Sequence, residues 1–169
     1  MTRLFGMRRI AALVVLVPVL ALGSVACGGD EKTIETDAGD VKVSRDGEDV
    51  HVTARDGQFE GRFGKSAELP ENFPDDVPIP EGATIVGAMT SREPGAEGTT
   101  VSIQSDGSAD ALLNAFRADM DTNGWSVDQE MNMMGQRMLH ASKGGRSLMV
   151  QVMERDGGSH AMVHLGEDG

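Results

Sequence analysis

The sequence predicts an α+β fold. It is an antiparallel sheet in the order ββα then four strands, with one helix on one face, preceded by a small N-terminal β-meander. Three observations carry this reading. Short runs of alternating residues recur and end in Asp-Gly or Gly-Gly, the signature of strands joined by tight turns. A single apolar stripe, Leu112, Leu113, Phe116 and Met120, has the three- and four-residue spacing of a helix. Prolines at 70, 74, 78 and 80 separate the first strand runs from the rest.

The meander is read over 41–68. Val41-Lys42-Val43-Ser44-Arg45-Asp46-Gly47 is echoed by Val50-His51-Val52-Thr53-Ala54-Arg55-Asp56-Gly57, and Phe59 and Phe63 close the third run. Asp-Gly supplies the positive φ that a two-residue hairpin needs. The proline-rich segment 69–82 cannot be helix or central strand, because four φ angles are fixed and four donors are missing. It reads as an extended linker, held down by Phe73, Val77 and Ile79. The domain proper then covers 83–169. Ala83 to Thr90 and Thr99 to Ser105 are strands. Ser108 caps the helix with Asp110 in its first turn, and Asn123-Gly124 stops it. Trp125 to Met131, Arg137 to Lys143, Ser147 to Glu154 and Ser159 to Leu165 alternate as four further strands.

The start of the chain has a different character. Met1 to Arg9 carry three arginines and no acid, Ile10 to Leu22 are uncharged and apolar, and Gly23 to Ala26 are small or short. This is the order of a secretory signal peptide, 1–26. Thirteen helical residues rise about 20 Å, short of the ~30 Å hydrocarbon layer. The only cysteine, Cys27, follows at once, with Gly28 and Gly29 after it. Val25-Ala26-Cys27 resembles the lipobox of bacterial lipoproteins, with Ser24 where that family most often has leucine. The resemblance implies lipidation of Cys27, a lipid anchor as the membrane partner, and an exported location on the cell membrane or outer membrane, facing the periplasm or exterior. Residues 27–40 then form a lipidated acidic tether. Phe73-Pro74-x-Asp76-Val77-Pro78 resembles an opening segment of exported bacterial proteins, which implies a fold type and no activity.

Composition excludes several functions. Removing 1–26 takes away three of the 15 Lys and Arg and none of the 27 acids, leaving a net charge of −15. Such a chain repels nucleic acid and anionic head groups. Only Phe59, Phe63, Phe73, Phe116 and Trp125 are aromatic beyond the signal, which argues against a base- or sugar-stacking platform. The sequence holds neither His-Glu-x-x-His nor Gly-x-Ser-x-Gly, and its single cysteine serves the anchor. Gly64-Lys65-Ser66 lacks the upstream glycine of a phosphate loop. The expectation is a non-catalytic binding or structural module of the cell envelope, without a cofactor.

Two metal readings stand beside it. Asp119-x-Asp121-x-Asn123-Gly124 followed by Glu130 resembles the EF-hand family over that one loop, and implies calcium bound by Asp119, Asp121, Asn123 and Glu130. It requires the chain to coil through Trp125, whereas the alternation after Gly124 reads as a strand. The second reading is Cu(I). Met131-Asn132-Met133-Met134 with Met138, and His160-x-Met162-x-His164, gather soft donors. Against it, methionine also fills cores.

Overall fold

The computed structural model describes residues 30–36, 39–133 and 135–167. The signal region, Cys27 and Met134 lie outside them, and the structure bears on neither the anchor nor that methionine. The described chain forms ten strands and one α-helix. The strands are β1 (Asp30–Thr36), β2 (Gly39–Asp46), β3 (Asp49–Ala54), β4 (Phe59–Phe63), β5 (Thr84–Ser91), β6 (Gly98–Ser105), β7 (Ser126–Met133), β8 (Gln136–Lys143), β9 (Arg146–Arg155) and β10 (Gly158–Glu167), and the helix is α1 (Ala109–Thr122).

All ten strands belong to one sheet, ordered β1-β2-β3-β4-β5-β6-β10-β9-β8-β7, every pair antiparallel. This overturns the α+β class. The fold is β-rich, and the N-terminal strands extend the sheet instead of preceding it. The joint is β4 against β5, where Phe59 pairs with Ser91 and Phe63 with Gly87. The acidic stretch read as a tether also contains a strand. Asp30–Thr36 pairs along its length with β2, yet Glu31 to Glu35 stay exposed. Backbone pairing along an edge asks for no buried side chain, so an acidic composition does not forbid it.

The helix begins where Ser108 Oγ accepts the Ala111 amide at 3.2 Å and Glu154 Oε1 accepts the Ala109 amide at 2.9 Å. It ends in a Schellman arrangement. Trp125 N–H donates to the Met120 carbonyl at 2.8 Å and Gly124 N–H to that of Asp121 at 3.2 Å, with Gly124 at φ +75°. The positive φ turns the chain sharply from α1 into β7.

Register assigns each side chain to a face, because directly paired residues share one. On the helix side of β5 to β10 lie Ala88, Val101, Ile103, Leu139, Ala141, Leu148, Val150, Val152, Ala161 and Val163, all buried. Against them α1 presents Leu112, Leu113, Phe116 and Met120, and Trp125 follows. Burying a side chain of this size stabilises by about 1.5–3 kcal/mol, and here the transfer is essentially complete for Phe116 and Met120. Phe73, Val77 and Ile79 pack the proline segment onto the same core.

In β1 to β4 the polarity is reversed. The helix-side row through Arg62 and Ala88 runs on to His51, Ser44 and Glu31. The apolar residues Val41, Val43, Val50, Val52, Phe59 and Phe63 belong to the other, uncovered face. Phe63 lies across Gly87 there, where a Cβ would stand only 2.7 Å from its ring.

Candidate functional site

The proline segment owes its position to one carboxylate. Asp76 takes a bidentate hydrogen bond from Arg146 at 3.0 and 2.6 Å, and Lys143 Nζ donates to it at 2.5 Å. The same Nζ donates to the Asn123 carbonyl at 2.7 Å, at the helix C-terminus. Trp125 Nε1–H donates to the backbone carbonyl of Asp76 at 2.6 Å, and the Arg146 guanidinium lies 5.0 Å from the indole centroid. Hydrogen bonding from Arg146 outweighs partial burial and, with Lys143, holds the Asp76 carboxyl far below its ordinary range. The cluster joins the proline segment, the end of α1 and the β8–β9 turn. It is a clamp of ion pairs and hydrogen bonds that ties these three segments together.

Where this segment crosses the sheet it leaves a groove of about 390 Å³. Ala88, Thr90 and Thr99 form the floor, Glu60 and Arg62 one wall, and Leu69 to Asn72 the other. All five sheet residues belong to the helix-side face, beyond the reach of α1. Thr90 and Thr99 hydroxyls meet across the floor at 3.3 Å. Arg62 donates to Glu60 at 3.1 Å, and His51 Nε2 stands 3.4 Å from the same carboxylate. Burial raises the Glu60 pKa, but the Arg62 hydrogen bond and charge, with His51, outweigh it and leave the carboxyl below 4.5. Arg92 reaches the Gly57 carbonyl at 3.1 Å, and Arg55 pairs with Glu93, so the loops at this end are tied together.

The calcium residues are not brought together. Glu130 lies on β7, and both its oxygens take hydrogen bonds at 2.7 Å from Arg117 on α1. Asn123 is the helix C-cap, its amide bound to the Asp119 carbonyl at 2.9 Å. Asp119 and Asp121 stay on the last turn of α1. The chain leaves Gly124 extended, so Glu130 is carried along the strand instead of closing a loop. Among the described residues no three His, Cys, Asp or Glu side chains are grouped to hold a metal.

The uncovered face of β8 to β10 carries the soft donors. His140, Met149 and His164 form one cross-strand row, and Met138, Gln151 and Met162 the next. His160 Nδ1 is buried without a hydrogen-bond partner, and burial, then Arg155, lowers the pKa of that ring.

Sequence reasoning assigns no site to Asp76 or to the groove, whereas the Cu(I) reading of Met138, His160, Met162 and His164 falls on this face. The signal for Asp76 is the acidic pair Asp75-Asp76 among prolines, with Lys143 and Arg146 flanking an expected turn elsewhere in the chain. The groove carries no local signal, since its walls come from segments far apart in the chain.

Residues 85–158 match the family model of START domain-like proteins. The match runs from β5 to the start of β10 and so takes in α1 and the groove floor. No curated protein and no solved structure matches the chain. No helix among the described residues is long and apolar enough to cross a membrane.

Proposed function

We propose that this protein is an exported, lipid-anchored module of the bacterial cell envelope that binds a small polar ligand without transforming it. The observation that carries the binding role is the groove between β4–β6 and Leu69 to Asn72. Its volume lies in the range of small-molecule sites, and its floor falls within the segment similar to START domain-like proteins, a likeness that favours a ligand-binding fold. On the groove wall, Glu60 has its carboxyl pKa lowered by Arg62 and His51 against the effect of burial, which suits recognition and not proton transfer near neutral pH. The floor hydroxyls and the Arg62 guanidinium offer hydrogen bonds to a polar guest. The anchor is Cys27, and the acidic mature chain, net −15, leaves the lipid as the means of membrane attachment.

Two measurements test this. Wild-type protein should partition into the detergent phase and Cys27→Ser should not; equal partitioning refutes the anchor. Native mass spectrometry of protein extracted from membranes should find a small-molecule adduct that Thr90→Trp, which fills the groove floor, abolishes. An adduct indifferent to that substitution, or none on the wild type, refutes the groove as the site.

A further inference from the structure

The N-terminal half of the sheet sorts its side chains by charge as well as by polarity. In β1 to β4 the acids Glu31, Glu35, Asp40, Asp46, Asp49 and Glu60 all fall on the helix-side face. The opposite face carries the apolar residues from Val41 to Phe63, together with Lys32, Ile34 and Arg45. One further acid, Asp30, pairs in register with Arg45. Met89 continues this face on β5. From β5 to β10 the register adds only Arg155 and, through the β7 bulge, Asp128 as charged residues on this side. In a chain with 27 acids, the carboxylates are thus gathered on the other side of the sheet.

The apolar face of β1 to β4 also lies beside the anchor. Cys27 stands three residues before Asp30, and three extended residues span at most about 11 Å. An acylated cysteine places its chains in the bilayer, so β1 begins at the head-group layer. Asp30 heads a row that continues through Arg45 and Val50 to Phe63 on successive strands. At about 4.8 Å per strand, Phe63 is about 14 Å from that edge. Strands β1 to β4 are therefore held close to the membrane whichever way they face.

Their two faces differ in what they offer it. The helix-side face brings six carboxylates toward anionic head groups, which repel them. The opposite face brings Ile34, 46% exposed, and Phe63, 36% exposed, with half-buried valines between them. It sets Lys32 and Arg45 where the head groups attract cations. Apolar side chains bordered by Lys and Arg are the composition of surfaces that lie in the membrane interface. A net charge of −15 keeps this face from attaching the protein unaided. The acyl chains attach it, and the face decides how it lies.

We infer that the lipid-held protein lies with the uncovered face of β1 to β4 against the phospholipid head groups, and turns α1, the proline segment and the groove toward the aqueous side. The inference rests on the anchor proposed above, and it gives the reversed polarity of β1 to β4 a purpose.

The test uses full-length protein carrying its lipid, reconstituted into vesicles of phosphatidylethanolamine and phosphatidylglycerol. Lipidation consumes the Cys27 thiol, so a nitroxide attaches only to a newly introduced cysteine. Val52→Cys and Thr53→Cys place it on opposite faces of β3. Ile34→Cys and Thr33→Cys repeat the comparison on the exposed edge strand, where no core contact is lost. On vesicles the labels at 52 and 34 should collide with a water-soluble nickel chelate at least about threefold less often than those at 53 and 33, and more often with oxygen, which concentrates in lipid. Equal accessibility of the two faces in vesicle-bound protein overturns the inference and leaves the anchor standing. Protein that does not sediment with the vesicles overturns both. Protection of positions 52 and 34 in the Cys27→Ser protein without vesicles means that a second copy covers the face, and it overturns the inference as well.

Discussion

The two halves of the sheet share one hydrogen-bonded ladder and bury opposite faces. From β5 to β10 the buried aliphatic side chains point toward α1 and the proline segment, and Val101, Leu139, Val150 and Val163 are fully buried, while the methionines of these strands take the other face. From β1 to β4 they point the other way, and Val41, Val43, Val50 and Val52 are only half-buried. Strand pairing alone thus does not decide where a core forms. A core forms where another element is available to cover the sheet, and α1 packs mainly on the β7, β9 and β10 part of it. The covered half should hold most of the stability, and the N-terminal half should open at lower free energy.

The largest effect is expected at the clamp of the covered half. Trp125→Ala removes a buried indole, its hydrogen bond to Asp76 and its stacking with Arg146. It should cost about 3–5 kcal/mol by chemical denaturation, and a loss below about 1 kcal/mol would place the core elsewhere.

Asp76→Asn keeps the shape and removes the charge, leaving Lys143 and Arg146 half-buried without their partner. It should cost about 2–3 kcal/mol. Because the folded carboxyl titrates below its ordinary pKa of 3.8, its contribution is fully present above that value and is lost as pH falls below it. Melting temperatures should therefore drop below pH 3.8 in the wild type, and less steeply in Asp76→Asn. Parallel profiles would show that the carboxylate is not coupled to folding.

Deleting residues 30–68 removes β1 to β4 and bares the edge of β5. The comparison predicts that 69–169 still unfolds cooperatively, and that in the full chain the amides of β2 and β3 exchange with solvent faster than those of β9 and β10. Loss of cooperative unfolding would make the ten strands one folding unit.

The smallest effect is expected at Glu130. Its pair with Arg117 is solvent-exposed, so Glu130→Gln should cost less than about 1 kcal/mol. Calcium followed by Trp125 fluorescence should show no saturable site below about millimolar concentration. A micromolar site abolished by Glu130→Gln would mean that β7 can be pulled out of the sheet.

Local features are legible in the chain itself. The stripe from Leu112 to Met120, the Ser108 cap and the Asn123-Gly124 stop each act within a turn or two, so they are written in consecutive residues. Hairpin turns such as Gly144-Gly145 and Gly157-Gly158 are equally local, since a positive φ favours glycine wherever it occurs. The alternation of Met149 and Met153 against Leu148, Val150 and Val152 places those methionines on a separate face. Nothing local places Met138 and Met162 beside them on flanking strands, because that depends on register across two hairpins.

By itself, then, the sequence determined the helix, the turns, the acidity of the chain beyond residue 26 and its signal-like start, all of which follow from neighbouring residues. Tertiary structure alone decided that β4 joins β5 across the proline segment, that Asp76 meets Arg146, that Glu130 turns to Arg117 and away from Asp119, and that one sheet carries two opposite polarities. Each of these depends on contacts between residues distant in the chain. Periodicity tells which side chains share a face, but only the packed fold tells which face is covered.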